Sequence, residues 1–435
     1  MDVRFKSVES NLLYFVKWTL SALLIGTLVG AVGAVFRKGV ELVTANWNKN
    51  PWMILLAPVS GCVIVFITRL LKEEKNGGTN TVIDSVAEEK HITERTAPMI
   101  FVSTLLSHLS GASVGKEGAA LMIGGSMGEI IANFLEFDRN DRRIAIMCGM
   151  SACFGAVFGT PMAATVFPME VISIGTMYYA ALIPCIFSAF FGAGVSAHLG
   201  NHAEVFPVTA VPHFDMTQMI LVVILGMVCA LVAIFFSWSL HESHHFAEHK
   251  VPNPYLRVAL GGVLLILLTL VNKYIGSGSF DFNGGGFPLA EKAMEGEAVS
   301  YAFLLKILFT CVCISCGFKG GEIVPTLCIG ACVGSLFAGT VSADTKVFAA
   351  AGMVAMFCGM TNCPISSLLL AFELFGYDGM PYFAVTIAVC FTLSGYYGLY
   401  SSQRFAYSKT RTVFIDRKGP RKYWDEGNND SMQPK

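Results

Sequence analysis

Apolar residues run along this chain in blocks of bilayer length. Leu12–Val35, Trp52–Leu71 and Met219–Trp238 are nearly uninterrupted, and about 20 apolar residues suffice for a helix to cross a bilayer. Val258–Val271 is apolar but shorter, which predicts a buried or re-entrant piece. Polar stretches separate the blocks. His198–Met216 lies near the middle, and Gly276–Val299 is expected to be a surface loop. Phe137–Arg143 is expected to be a charged loop between helices. The pattern predicts an all-α integral membrane protein, multi-pass in the lipid bilayer, with many tilted and broken helices.

Composition agrees with this. The 435 residues are 54% hydrophobic and 14% charged, against about 25% charged in soluble domains. The first apolar run is too long for the core of a cleavable signal. A net charge of −1 argues against nucleic acid as a partner. The stretch Lys409–Trp424 is rich in Lys and Arg directly after the last apolar run, so the tail 406–435 is expected to be cytoplasmic. Arg4, Lys6 and Lys17 put the N-terminus on the same side. The 13 cysteines sit almost wholly in apolar segments. Cys311, Cys313 and Cys316 are therefore read as packing residues, without a disulfide framework or a metal set. His241, His244, His245 and His249 are read as a solvated helix end.

The chain repeats itself. Thr104–Gly128 and Thr310–Gly334 align without gaps and share Thr104/Thr310, Gly111/Gly317, Gly115/Gly321, Gly124/Gly330 and Gly128/Gly334. Further on, Gly149/Gly352, Pro161/Pro364 and Glu170/Glu373 match in the same order. Internal repeats with glycine-broken hydrophobic segments mark the binding sites of transporters. The halves are placed near 10–200 and 214–405, within a single transport domain.

Each glycine-rich block precedes an apolar helix. Pro325 suits a first turn, where its missing N–H costs nothing. Gly320, Gly321, Glu322 and Ile323 then sit at one helix N-terminus, and Gly115, Lys116, Glu117 and Gly118 at the other. Free N–H groups and the positive dipole end make such termini anion sites. The spaced pairs Gly124/Gly128 and Gly330/Gly334 are read as helix packing. Glu117 and Glu322 are read as functional, because intramembrane carboxylates are costly. Glu170 and Glu373 are read as structural, bonded to helix ends. No nucleophile motif, metal motif or cofactor loop is present, so an enzyme is not expected.

These blocks resemble the CLC family of chloride channels and anion/proton antiporters. The family's GREGP motif is similar to Gly115-Lys116-Glu117-Gly118-Ala119, and its GxFxP motif to Gly321-Glu322-Ile323-Val324-Pro325. Its pore tyrosine looks like Tyr400, with Tyr396 and Tyr397 nearby. The stretch matching its serine motif is Gly78-Thr79-Asn80-Thr81-Val82, which lacks the serine of chloride transporters. Gly320-Gly321-Glu322 is similar to the GGE motif of the fluoride/proton antiporter branch. After Phe167-Pro168-Met169-Glu170, Val171 stands where chloride/proton exchangers carry an inner glutamate.

The resemblance implies an inverted-repeat fold, a homodimer with one pore per subunit, and fluoride export coupled to proton entry in a microbial cell membrane. A chloride/proton antiporter or passive anion channel on the same fold is the alternative. It implies Glu117 as gate and proton carrier. The anion would be held by Gly78, Thr79, Asn80, Gly115, Lys116, Gly118, Gly321, Glu322, Ile323, Val324 and Tyr400. A charged Glu322 would repel fluoride, whereas a protonated one would donate a hydrogen bond to it.

Overall fold

The computed structural model describes residues 2–419, with side chains from Glu9 onward. Residues 420–435 of the predicted basic tail lie outside the described residues. In chain order the helices are α1 (Asp2–Lys49), α2 (Ala57–Leu70), α3 (Thr79–Ala87), α4 (Thr96–Leu109), α5 (Glu117–Phe134), α6 (Arg139–Phe158), α7 (Pro161–Ile172) and α8 (Leu182–His198). After the linker come α9 (Met216–Lys250), α10 (Pro254–Tyr274), α11 (Phe287–Met294), α12 (Ala302–Cys316), α13 (Ile323–Val341), α14 (Thr345–Thr361), α15 (Pro364–Phe375) and α16 (Met380–Leu393).

Six helical segments among the described residues are long and apolar enough to cross a membrane, including Glu9–Lys49, Met216–Lys250 and Ile323–Val341. Others are apolar but short. At 1.5 Å per residue, the 12 residues of α7 or α15 reach about 18 Å, well under the ~30 Å of a hydrocarbon core. These are the broken helices that the pattern predicted.

Local chemistry starts and stops the elements. The Asp138 carboxylate accepts from the N–H groups of Asn140 and Asp141, and α6 ends at Gly159 in the left-handed region, φ 82°. The charged run is therefore the capped start of a helix rather than a loop. Asp215 caps α9 and Asp344 caps α14 in the same way. Helices α7 and α15 open on Pro161 and Pro364 and lack a capping side chain of their own. Each borrows one. Glu373 of α15 accepts from the N–H groups of Met162 (2.8 Å) and Ala163 (2.9 Å). Glu170 of α7 accepts from Ile365 N (3.0 Å), Ser366 N (2.8 Å) and Ser366 Oγ (2.6 Å). This is the structural role read from the repeat.

Matched glycines let matched helices touch backbone to backbone. A Cβ on Gly124 would fall on the carbonyl oxygen of Gly149, and one on Gly149 on that of Gly124. Gly330 and Gly352 stand in the same relation between α13 and α14. The GxxxG pairs are thus packing surfaces, as expected.

Two further expectations change. Val258–Val271 belongs to α10, a 21-residue candidate span that is mostly on the surface of the chain, so it is neither short nor wholly internal. Gly276–Val299 is not simply a surface loop: it holds α11 and buries Phe282, Asn283, Leu289 and Ala293. Asn283 Nδ2 donates to the carbonyl of Gly111 at 3.0 Å, and buried Lys306 donates to the carbonyls of Phe282 and Gly284. The start of the tail carries regular structure. Strands β1 (Ser173–Ile174), β2 (Arg404–Tyr407) and β3 (Phe414–Lys418) form a small sheet, parallel between β1 and β2 and antiparallel between β2 and β3.

Candidate functional site

The two glycine-rich blocks meet. Gly115 N donates to Gly321 O at 2.6 Å, and Gly321 N donates to Gly115 O at 2.7 Å. This single two-residue bridge joins the loop before α5 to the loop before α13. The approach demands glycine: a Cβ on Gly118 would lie 2.8 Å from the Cα of Gly321. Two helix N-termini therefore converge on one point. The N–H groups of their first turns have no carbonyl ahead of them in the helix.

Glu117 is the first residue of α5 and is 0% exposed. Its Oε2 accepts from Lys116 N at 3.0 Å. Its Oε1 is buried and has no hydrogen-bond partner among the described residues. The carboxyl folds back over its own helix end, close against Gly115. It thus occupies ground where a helix N-terminus would hold an anion.

Glu322 is the N-cap residue of α13, partly exposed, and its side chain does not cap the helix. Lys319 and Tyr400 lie within its electrostatic reach. Ile323 and Val324 form the first turn and are buried, with Pro325 in that turn as predicted. The third block reaches the same place. Gly78 is the N-cap of α3, Thr79 is its first residue and is buried, and the Thr79 hydroxyl lies beside Gly118. Asn80 Oδ1 accepts from Ser402 N at 3.1 Å, which ties α3 to the segment that carries Tyr400.

Tyr400 is 2% exposed, and its buried hydroxyl has no hydrogen-bond partner among the described residues. Leu399 N donates to Met360 O at 2.8 Å. Gln403 Nε2 donates to the carbonyls of Thr361 (2.8 Å) and Val171 (3.0 Å). Asn362 and Lys409 complete this polar knot. Tyr396 instead bonds Ser408 at 3.1 Å, away from the helix ends, and the Tyr397 carbonyl accepts from Asn362.

Lys116 is 7% exposed, and its ammonium donates to Glu204 Oε1 at 2.6 Å. Of the residues predicted for the site, it is the one whose charge is already engaged. Sequence reasoning missed Glu204, Gln403 and Asn362, which lie outside every motif. The missed signal was the number of polar residues that the fold buries in this otherwise apolar region.

Comparison with known proteins follows the same lines. The family model described as voltage gated chloride channel matches residues 59–395. A chloride/fluoride channel protein of Pseudomonas syringae pv. tomato is 33% identical over 406 residues, covering 91% of this chain and 88% of that protein. An H(+)/Cl(-) exchange transporter of Citrobacter koseri is 24% identical over 388 residues, covering 82% and 80%. Among solved structures, a CLC-type fluoride/proton antiporter superposes with a TM-score of 0.85 at 28% identity, over 90% of this chain and 98% of that one. The match takes in all three glycine-led helix ends, and the chain belongs to the CLC family of voltage gated chloride channels.

Proposed function

We propose that this chain is a secondary transporter that exports fluoride in exchange for protons. One observation carries the reading: a carboxyl at Glu322 stands at the helix end that is hydrogen-bonded, through Gly321 and Gly115, to the block holding Glu117. Fluoride is small and strongly hydrated, so a site must return strong hydrogen bonds in place of water. The first-turn N–H groups of Gly118, Ile323 and Val324 supply some of these. A protonated Glu322 and the hydroxyls of Thr79 and Tyr400 supply others. Gly78, Gly115 and Gly321 let the backbone approach, while Asn80 and Lys116 hold neighbouring segments in place. A relative named for chloride and fluoride, and a fold neighbour that is a fluoride/proton antiporter, favour this ion.

In this scheme Glu117 is the gate. Charged, it competes with fluoride for the α5 helix end, where its carboxyl already lies. Protonated, it yields the place and carries the proton. The homodimer with a pore in each subunit, the cell membrane and the cytoplasmic C-terminus belong to the same proposal, as does the division into two halves in one domain.

The test is fluoride efflux from liposomes with simultaneous pH recording. Wild type is expected to acidify the lumen as fluoride leaves, and Glu117→Gln to move fluoride without protons. Proton pumping by Glu117→Gln would overturn the gate assignment. The name of the Pseudomonas syringae relative supports a second reading, a channel passing both halides. Fluoride flux without proton movement in wild type would select it, and chloride efflux faster than fluoride would favour a chloride transporter.

A further inference from the structure

Glu204 lies in the segment 199–215 between α8 and α9, in none of the motifs. Its Oε1 accepts from the Lys116 ammonium at 2.6 Å and lies 3.9 Å from Arg37 Nη2. Its Oε2 is buried and has no hydrogen-bond partner among the described residues. Lys116 and Arg37 are 7% and 5% exposed. Lys116 thus touches two carboxyls: its backbone N–H bonds the gate Glu117, and its ammonium bonds Glu204.

The charges around this carboxyl come from three helices. From α1, Arg37 faces it and is itself paired with Glu41 at 2.7 Å. From the start of α5 come Lys116, its N-cap residue, and Glu117. From α4, the buried ring of His108 lies within electrostatic reach of Lys116. Within its own segment, His202 offers a carbonyl to Arg37 at 2.5 Å. Arg37 is offset by Glu41, and Lys116 by Glu204.

An uncompensated ammonium beside the gate would hold either the Glu117 carboxylate or a halide far more strongly than N–H groups do. We propose that Glu204 is the counter-ion that neutralises Lys116, so that gate and anion compete for helix-end N–H groups and both can leave. It is a positioning residue that acts through Lys116, and it rests on the fluoride/proton reading above.

The experiment uses the full chain in liposomes, with fluoride efflux and proton uptake measured across a range of pH. Glu204→Gln is expected to move the pH profile of exchange towards acid by about one unit or more, because a freed Lys116 favours the charged gate. It should also lower the KM for fluoride severalfold, with turnover falling. Glu204→Asp should keep the wild-type profile. The double variant Glu204→Gln/Lys116→Gln should lose the acid shift, since no bare charge remains. An unmoved profile in Glu204→Gln, or an acid shift that survives in the double variant, would overturn the proposal.

Should Glu204→Gln fail to fold, Lys116→Gln decides: an alkaline shift is expected, and an unmoved or acid-shifted profile overturns the idea. If wild-type efflux moves no protons, the antiport reading is what fails. The KM for fluoride in Glu204→Gln then tests the counter-ion alone, and an unchanged KM would overturn it.

Discussion

At the scale of single residues, four glutamates of the repeated blocks do two kinds of work, and only Glu170 and Glu373 match each other across the repeat. Glu170 and Glu373 are saturated with hydrogen bonds from helix ends. Among the described residues Glu117 keeps one oxygen without a partner, and the Glu322 side chain does not cap its helix. Saturated carboxylates hold structure, whereas under-used ones remain free to bind and release. Glu170→Leu should therefore cost about 1–3 kcal/mol of stability by orphaning buried N–H groups. Its proton-to-fluoride ratio should stay at the wild-type value. Thermal unfolding in detergent and paired flux recordings check the two halves of this prediction. Tyr400→Phe should be neutral or stabilising, because its buried hydroxyl bonds nothing among the described residues and burying an unbonded hydroxyl costs free energy. Its fluoride affinity should fall if that hydroxyl serves the anion, and an unchanged KM would remove Tyr400 from the site. Sequence motifs made Glu117, Glu322 and Tyr400 legible. They did not reveal Glu204, whose partner lies 88 positions away in the chain.

At the scale of elements, the fold depends on helices pressed together through glycine. Adding a side chain at the α5–α6 contact should be severe. Gly149→Val places a Cβ on the Gly124 carbonyl oxygen, so a loss of ~3 kcal/mol or more is expected, seen as aggregation or early melting. Gly339→Ala is the contrast. It lies on α13, exposed, with nothing near its missing Cβ. It should stabilise by about 0.5–1 kcal/mol through helix propensity alone. Helix existence was legible because apolar length and glycine punctuation are local properties. The nature of α10 and α11 was not. Whether an apolar run faces lipid or protein, and whether a polar stretch folds inward, depends on partners far along the chain. Asn283 on Gly111 is one such partner, and Lys306 on Gly284 is another.

At the scale of the whole molecule, the segment after Tyr400 is tied back to the body on two sides. Strand β2 pairs with β1 at the end of α7. Glu88, just after α3, pairs with Arg404 at 3.5 Å and with Lys418. Lys418 and Lys90 hold the Glu88 carboxyl at about 2, down from the ordinary 4.5. Because the folded value is the lower one, this attachment is complete above about pH 4.5 and is lost as pH falls through 2. Protection of the amides of residues 404–418 against hydrogen exchange, taken relative to the unfolded chain at each pH, should accordingly fall between pH 5 and 2 (values bracketing that window). Glu88→Gln should abolish the change.

The sequence by itself determined the membrane character, the doubled architecture and the helix ends on which an anion site can be built. Each of these follows from residues adjacent in the chain: apolar length, a glycine before a helix, a proline in its first turn. Only the tertiary structure decided which helix ends face one another and which carboxylates are spent. It also decided that the charge on Lys116 is already answered. A free N–H group is a local consequence of helix geometry, but the atom that satisfies it comes from wherever packing brings the chain.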